Sequence, residues 1–336
     1  MTGCRIPLRA RLTRASVAAG LVVVLASGCA AAGGLVGVKS PPASPVPGAA
    51  LEPQQARGIV GRVLASANAA DRSRNVSTAA LAYDGLALQM TTALYQVDTA
   101  QGVTVPPRPT SNDRPAVLLT RGPAYPRFFF TVLAGNAKQA PVVNLLTAKD
   151  ASSAYRIAGS VILLPGARLP EVADPSEGSP VLAADTTGLA VAPGDLAPSY
   201  AAVLNTGSTA PEAASFTHDS FVDQVQKAAA AQRSGVARFG TYAQSHEAVP
   251  GATVAIRTTN GGALVFTALR RSSTFTARPG NTATLPPDVR VLTGEVQASS
   301  FTSTAAELLL FVVPPAGKGR ATLVAASDGL IAATAK

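Results

Sequence analysis

The stretch Val254-Ala-Ile-Arg-Thr-Thr-Asn260-Gly261-Gly-Ala-Leu-Val-Phe-Thr-Ala-Leu269 decides the fold. Two apolar runs flank the dipeptide Asn260-Gly261, and both residues of that dipeptide accept the positive φ of a tight turn. Alternating apolar runs on either side of such a turn are typical of paired antiparallel strands. The stretch therefore predicts a β-hairpin.

Further apolar, β-branched and aromatic runs predict strands on both sides of the hairpin. They cover residues 116–120, 127–134, 142–148, 155–164, 289–298, 307–313 and 321–326. Because side chains alternate between the faces of a strand, Phe128-Phe-Phe130 must place at least one ring opposite the others. Apolar residues at helical spacing predict helices at 54–70, 77–95, 195–204 and 219–233. Thr217 is the expected N-cap of the last helix.

The order of these elements predicts an α+β fold, because helices precede strands twice and no βαβ alternation occurs. Between the two sets, residues 165–180 are rich in proline, glycine and acids, which marks a boundary. We interpret the chain as two similar halves, each with helices packed on a curved, mainly antiparallel sheet. The first domain is expected at 54–175 and the second at 181–336.

The N-terminus has the layout of a secretory signal peptide at residues 1–28. A basic stretch ending at Arg14 leads into the apolar run 15–26 and then Ser27-Gly28-Cys29. As a helix this run spans about 18 Å, well short of about 30 Å of hydrocarbon, so removal is favoured over a membrane span. Small residues before the cysteine resemble the lipobox of bacterial lipoproteins. That resemblance implies cleavage between Gly28 and Cys29 and acylation, such as palmitate, on Cys29.

A lipid anchor would place the protein on the extracytoplasmic face of the cell membrane. Residues 29–53 are rich in proline and glycine and are expected to form a flexible tether that holds the folded part off the bilayer. Cys4 leaves with the signal peptide and Cys29 is acylated, so the mature chain has no thiol for catalysis, metal binding or a disulfide.

Composition argues against nucleic acid as a partner. The chain carries a formal charge of +9, but four arginines of the signal peptide leave about +5 on the mature chain. The remaining basic residues are scattered, and no basic run with interleaved aromatics marks a phosphate-binding groove. At 336 residues and 47% hydrophobic content the chain is long enough to bury a sizeable core.

Candidate chemical groups are sparse. His218 and His246 are the only histidines, and neither forms a metal-binding motif, so no metal or cofactor is expected. Asp219 and Asp223 could assist His218 in proton transfer, but acids in a first helical turn favour a solvated cap on the helix dipole. His246 precedes Glu247 in a polar stretch that favours a surface loop.

Tyrosines beside charged residues are a second set of candidates. Tyr83-Asp84 and Tyr155 with Arg156 could line a pocket, although ordinary positions at the edge of the core explain them equally well. Asn75 in Asn75-Val-Ser77 is interpreted as a helix cap. No hydrolase, dehydrogenase or zinc-protease signature occurs in the sequence, so no catalytic residue is assigned.

Four motifs together resemble a family of actinobacterial membrane lipoproteins with no assigned activity. They are Tyr125-Pro-Arg-Phe-Phe129, Asp185-Thr-Thr-Gly-Leu189, Asn260-Gly-Gly-Ala-Leu-Val-Phe266 and Val313-Pro-Pro-Ala-Gly317. The resemblance covers nearly all of the mature chain. It implies helices on a curved antiparallel sheet in two related halves, in the manner of the nuclear transport factor 2-like cone, and it transfers no catalytic residue.

Two functions follow from these observations. The favoured one is a non-enzymatic binding or scaffold lipoprotein of the cell envelope, with an envelope protein, a polymer or a lipid as partner. The alternative is a pocket protein that binds or transforms a small apolar molecule or lipid. A filled sheet interior with an exposed apolar surface would favour the first, and a deep apolar pocket with converging acids or tyrosines the second.

Overall fold

The computed structural model describes residues 47–103, 115–135 and 139–336. The predicted signal peptide at 1–28, its cleavage position at Gly28, Cys29 and most of the tether lie outside the described residues. The chain joins the folded body before the predicted end of the tether. Ala49 forms a β-bridge with Arg121, and the amide of Ala50 donates to the carbonyl of Thr120 at 2.8 Å.

Six α-helices lie in the described ranges: α1 Pro53–Ser73, α2 Val76–Ala82, α3 Gly85–Gln101, α4 Pro193–Thr206, α5 Ser220–Val236 and α6 Pro287–Thr293. Asn75 caps α2 as predicted, because its side chain accepts from the amide of Thr78. The single helix predicted at 77–95 is two helices. Tyr83 and Asp84 adopt extended backbone angles between α2 and α3, and the Asp84 side chain caps the second helix.

Twelve strands occupy the same ranges: β1 Ala116–Leu119, β2 Arg127–Leu133, β3 Val142–Ala148, β4 Arg156–Leu163, β5 Val181–Leu182, β6 Gly240–Ala248, β7 Val254–Arg257, β8 Ala263–Ala277, β9 Ala283–Thr284, β10 Gln297–Ala298, β11 Ser300–Val313 and β12 Thr322–Ala335. The strand predicted at 289–298 is wrong at 289–293, where α6 lies, and only its last two residues form a strand, β10. Pro287 suits a first helical turn, and Gly294 ends the helix in the left-handed conformation at φ 77°.

Ten of these strands form one antiparallel sheet in the order β1-β2-β3-β4-β12-β11-β8-β7-β5, with β6 paired to β8. The sheet curves back on itself. Ser179, just before β5, forms a β-bridge with Thr120 at the end of β1. A Cβ on Gly159 of β4 would lie 2.3 Å from the ring of Phe266 on β8, so the two strands meet across the inner face.

The predicted hairpin is confirmed as β7 and β8, but its turn differs from the expected one. Only Gly261 takes a positive φ, at 82°. The side chain of Asn260 instead accepts from the amide of Gly262 at 3.1 Å and from the hydroxyl of Thr258 at 2.7 Å. The asparagine thus stabilises the loop through its side chain rather than through a left-handed backbone.

Three large hydrophobic clusters hold helices and sheet together, and a smaller one packs α6 against β11 and β12. The inner face of the curved sheet is packed with its own side chains, including Phe128, Phe130 and Phe266. Phe129 points the other way, as predicted, into a cluster with α1, α2 and α3. The third cluster packs α4 and α5 on the outer face of β7, β8, β11 and β12.

The α+β class, with helices packed on a large antiparallel sheet, is confirmed. A division into two similar halves is not shown, because the strands of both predicted halves join in the same sheet. The described residues from Pro47 to Lys336 belong to one compact unit.

Candidate functional site

A surface groove of about 550 Å³ lies over the outer face of β6, β8 and β11. Residues from the C-terminal part of α5 form one wall, and residues of α6 and the segment before it form another. Its volume lies in the range of small-molecule sites in proteins. We call it the aromatic groove because Phe239, Tyr242, Phe275 and Phe301 line it.

Strand register arranges the groove floor in rows. Tyr242, Phe275 and Phe301 are cross-strand partners and form an aromatic row, with the two phenylalanine rings 5.6 Å apart. The next row, two residues along each strand, is uncharged and polar. It consists of Gln244, Ser273 and Ser303.

Phe239 stands at the groove wall between α5 and β6, with 67% of its surface exposed. Its backbone is held firmly, because its amide donates to Val236 and its carbonyl accepts from Arg278. A Cβ on the next residue, Gly240, would lie 2.1 Å from the carbonyl oxygen of Thr276, so that position requires glycine. The exposed ring is therefore presented on a rigid segment.

Beyond the polar row the groove ends at a buried cluster of charges. Arg271 on β8 reaches two carboxylates, with Nη1 3.2 Å from Oε1 of Glu307 and Nη2 2.8 Å from Oδ2 of Asp328. Glu307 is completely buried, and Nε2 of His246 lies 3.4 Å from the same Oε1. Among the described residues Oε2 of Glu307 has no hydrogen-bond partner. Burial of an incompletely paired carboxylate is costly and is a recurrent mark of functional sites.

Asn205 of α4 holds the backbone and the ring of His246 in place. The backbone amide of His246 donates to Oδ1 of Asn205 at 2.8 Å, and Nδ2 of Asn205 donates to the carbonyl of His246 at 3.0 Å. These bonds fix the orientation of the amide. Nδ1 of His246 lies 3.0 Å from the same Oδ1, so that nitrogen must be the donor. Nε2 faces Oε1 of Glu307 at 3.4 Å, and among the described residues it has no hydrogen-bond partner.

The interpretation of His246-Glu247 as a surface loop is wrong for His246. The two residues lie on β6, where Glu247 is exposed and the side chain of His246 is buried. The stretch is polar because Tyr242 and Gln244 face the groove and His246 faces the charge cluster, not because it is a loop. Their period of two was the sequence signal that could have identified the strand.

A second concavity, of about 690 Å³, lies beside the start of α5. Here Asp219 is the N-cap of α5 in place of the predicted Thr217, and it accepts from the amide of Val222 at 3.0 Å. The hydroxyl of the buried Tyr200 on α4 also donates to Asp219 at 3.0 Å. The predicted role of Asp219 as a helix cap is therefore confirmed. Its carboxylate is half-buried and links α4 to α5, whereas a solvated cap was expected.

His218 and Asp223 meet at the surface of the same concavity. Nε2 of His218 lies 3.0 Å from Oδ2 of Asp223, and both side chains are exposed. Burial raises the pKa of Asp219, against the hydrogen bonds that it accepts from Val222 and Tyr200. Burial likewise raises the pKa of Tyr200, with a further contribution from the charge of Asp219, so the phenol stays a donor.

Asp219→Ala is expected to lower the free energy of unfolding by about 1–2 kcal/mol, because α5 loses its cap. Asp219→Asn retains an acceptor and should lose clearly less.

The same residue makes stability depend on pH. A raised pKa means that the folded state binds the proton of Asp219 more readily than the unfolded chain. Proton binding by Asp219 therefore adds to the stability of the folded state below the ordinary pKa of aspartate. This stabilisation is lost as pH rises through the raised pKa, and it is absent in Asp219→Asn. Urea denaturation of the three proteins at several pH values measures both effects, and equal losses in the two variants would contradict the cap role.

The tyrosine candidates occupy core positions. Tyr83 is buried and lies beside a concavity of about 360 Å³ between α3 and the sheet, whereas Asp84 caps α3 and pairs with Lys149 at 3.0 Å. Tyr155 packs its ring 5.3 Å from that of Phe129. Arg156 begins β4. The structure does not bring these residues to the aromatic groove.

Among the described residues no group of three histidines, cysteines or carboxylates is placed to hold a metal ion. Within the same ranges, no helix combines the length and the apolarity needed to cross a bilayer.

The fold and the groove define an α+β protein with a concave site on the outer face of one curved antiparallel sheet. The chain belongs to the family described as a domain of unknown function, DUF8094, which matches residues 47–335. A search of curated proteins and a search of solved structures each found no match.

Proposed function

We propose that this protein is a lipoprotein, anchored to the extracytoplasmic face of the cell membrane through Cys29, that binds a component of the cell envelope in the aromatic groove without transforming it. The observation that carries the binding role is the ring of Phe239, which stands at the groove wall with 67% of its surface exposed. The floor beside it presents the half-buried Tyr242 and Phe301 and an uncharged polar row. Exposed apolar side chains in a concave surface are typical of binding sites.

The filled sheet interior supports binding at this outer groove. Aromatic and branched side chains from β2, β3, β4, β8 and β11 occupy the inner face. A ligand inside the sheet would have to displace these close-packed side chains, which is costly. The outer groove requires no such rearrangement.

The titratable groups support a binding role over catalysis. Arg271, Glu307 and His246 are engaged with one another at the end of the groove. In the second concavity, Asp219 already accepts from Tyr200 and from the backbone of α5. A general acid or base must reach its substrate, and the side chains of His246 and Glu307 are almost completely buried.

Site-specific photo-crosslinking in living cells tests the proposal. A benzophenone amino acid replaces Phe239 at the groove, and a matched variant carries it at Leu81 on α2, which is 62% exposed. We expect the Phe239 position to capture an envelope component that the Leu81 position does not. Purification of the tagged, membrane-anchored protein followed by mass spectrometry identifies the product. Identical products at the two positions, or no product at Phe239, would refute groove binding.

A further inference from the structure

We infer that the aromatic groove binds an uncharged glycan chain; this inference rests on the proposed binding function and names its ligand class. Aromatic rings and uncharged hydrogen-bonding groups occur together on the groove surface, whereas its one basic residue, Arg271, is already paired with carboxylates. That combination fits a ligand with apolar ring faces and many hydroxyl groups.

The stacking surface consists of the exposed ring of Phe239 and the half-buried rings of Tyr242 and Phe301, whereas Phe275 of the aromatic row is buried. Phe275 and Phe301 lie 5.6 Å apart with their planes tilted by 33°, and Tyr242 is the cross-strand partner of Phe275. The face of an aromatic ring carries partial negative charge. Sugar rings present C–H groups of slight positive charge on their faces, so they pack favourably on such a surface.

The polar groups around this row have unused hydrogen-bonding capacity. Tyr242 donates to Oε1 of Gln244 at 2.9 Å, which leaves Nε2 of Gln244 without a partner among the described residues. Within the same ranges, four more groove side chains form no side-chain hydrogen bond: Gln232, Ser273, Thr284 and Ser303. Amides and hydroxyls of this kind both donate and accept, as sugar hydroxyls do.

An acyl chain fits these groups poorly. It would bury uncharged polar side chains against hydrocarbon without hydrogen bonds, at a cost of about 1–3 kcal/mol for each one. A glycan instead supplies a partner for each group while its ring faces cover the aromatic row. The polar row therefore favours a glycan over a lipid tail.

The charges of the groove argue for an uncharged chain. Arg271 and Asp288 are the charged residues of its lining, so their formal charges cancel. The guanidinium of Arg271 already contacts Glu307 and Asp328 at 3.2 and 2.8 Å. An anionic ligand would have to compete with two carboxylates for it, and a groove built for anions would carry unpaired arginines.

Binding to immobilised oligosaccharides tests the inference. The full-length protein, purified in detergent, is applied to an array of uncharged hexose, pentose and N-acetylhexosamine oligomers, with palmitate and a proline-rich peptide as competing ligand classes. We expect retention on at least one uncharged oligosaccharide series. Phe239→Ala and Gln244→Ala should each weaken that binding about tenfold, whereas Leu81→Ala should leave it unchanged. Thermal denaturation verifies that each variant is folded.

The two proposals fail in different ways. If the benzophenone at Phe239 captures a product but no uncharged oligosaccharide binds, or if palmitate or the peptide binds instead, the glycan inference is overturned and groove binding survives. If glycan binding is unaffected by Phe239→Ala and Gln244→Ala, the glycan site lies elsewhere and the inference is again overturned. If crosslinking at Phe239 also fails, both proposals are refuted.

Discussion

Glu307→Ala is expected to lower the free energy of unfolding by about 3–5 kcal/mol, the cost of removing one partner from a buried ion pair. The change removes one of the two carboxylates that hold Arg271, and it removes the carboxylate that faces the buried Nε2 of His246. It also opens space between two close-packed strands. Equilibrium urea denaturation of the purified protein measures the loss.

Glu247→Ala is the matched control, since Glu247 adjoins His246 on β6 but is exposed. Its effect should stay within about 0.5 kcal/mol. If Glu307 and His246 stabilise the fold as a pair, the double variant Glu307→Leu/His246→Leu should lose less free energy of unfolding than the two single variants added together. A loss below about 1 kcal/mol in Glu307→Ala would show that the cluster does not stabilise the fold.

Cys29→Ala is expected to abolish acylation of the protein and to deplete it from the membrane fraction. Membrane attachment by the proposed mechanism needs acyl chains on Cys29, and several chains hold a protein where a single one binds only reversibly. The variant should be uncleaved or shed, with a mass that lacks the lipid. Cell fractionation, metabolic labelling with a palmitate analogue and intact-protein mass spectrometry measure these changes.

Cys4→Ala provides the control for this second experiment. Cys4 lies within the predicted signal peptide, so its replacement should leave localisation, cleavage and mature mass unchanged. An unchanged membrane fraction and mass in Cys29→Ala would refute the lipobox interpretation. The groove proposals would then need a soluble or differently anchored protein.

Local patterns predicted most of the elements. Strands β1 to β4, the β7–β8 hairpin and helices α1, α4 and α5 lie close to their predicted positions, because spacing of apolar residues reflects burial on one face. The error at 289–298 has the same origin. Val289 and Val291 alternate as in a strand, but Pro287 and Gly294 set the ends of a short helix.

Strand β6 was missed because the face that it turns toward the groove is polar. Tyr242, Gln244 and His246 alternate with exposed residues, yet only one of the three is a strong strand former. A pattern built on apolar residues does not detect such a strand. The same polar residues line the candidate site, so the site and the missed strand share one cause.

The α+β class and the hairpin could be predicted from the sequence alone and are confirmed, whereas the family resemblance and the lipid anchor at Cys29 stay predictions. These features depend on short stretches whose residues act on their immediate neighbours. Only the tertiary structure decided the groove and the charge cluster. His246, Arg271 and Glu307 come from three strands, and the register between those strands places their side chains together. Register depends on which face of each strand is buried and on the turns between strands, so residues far apart in the chain decide it together.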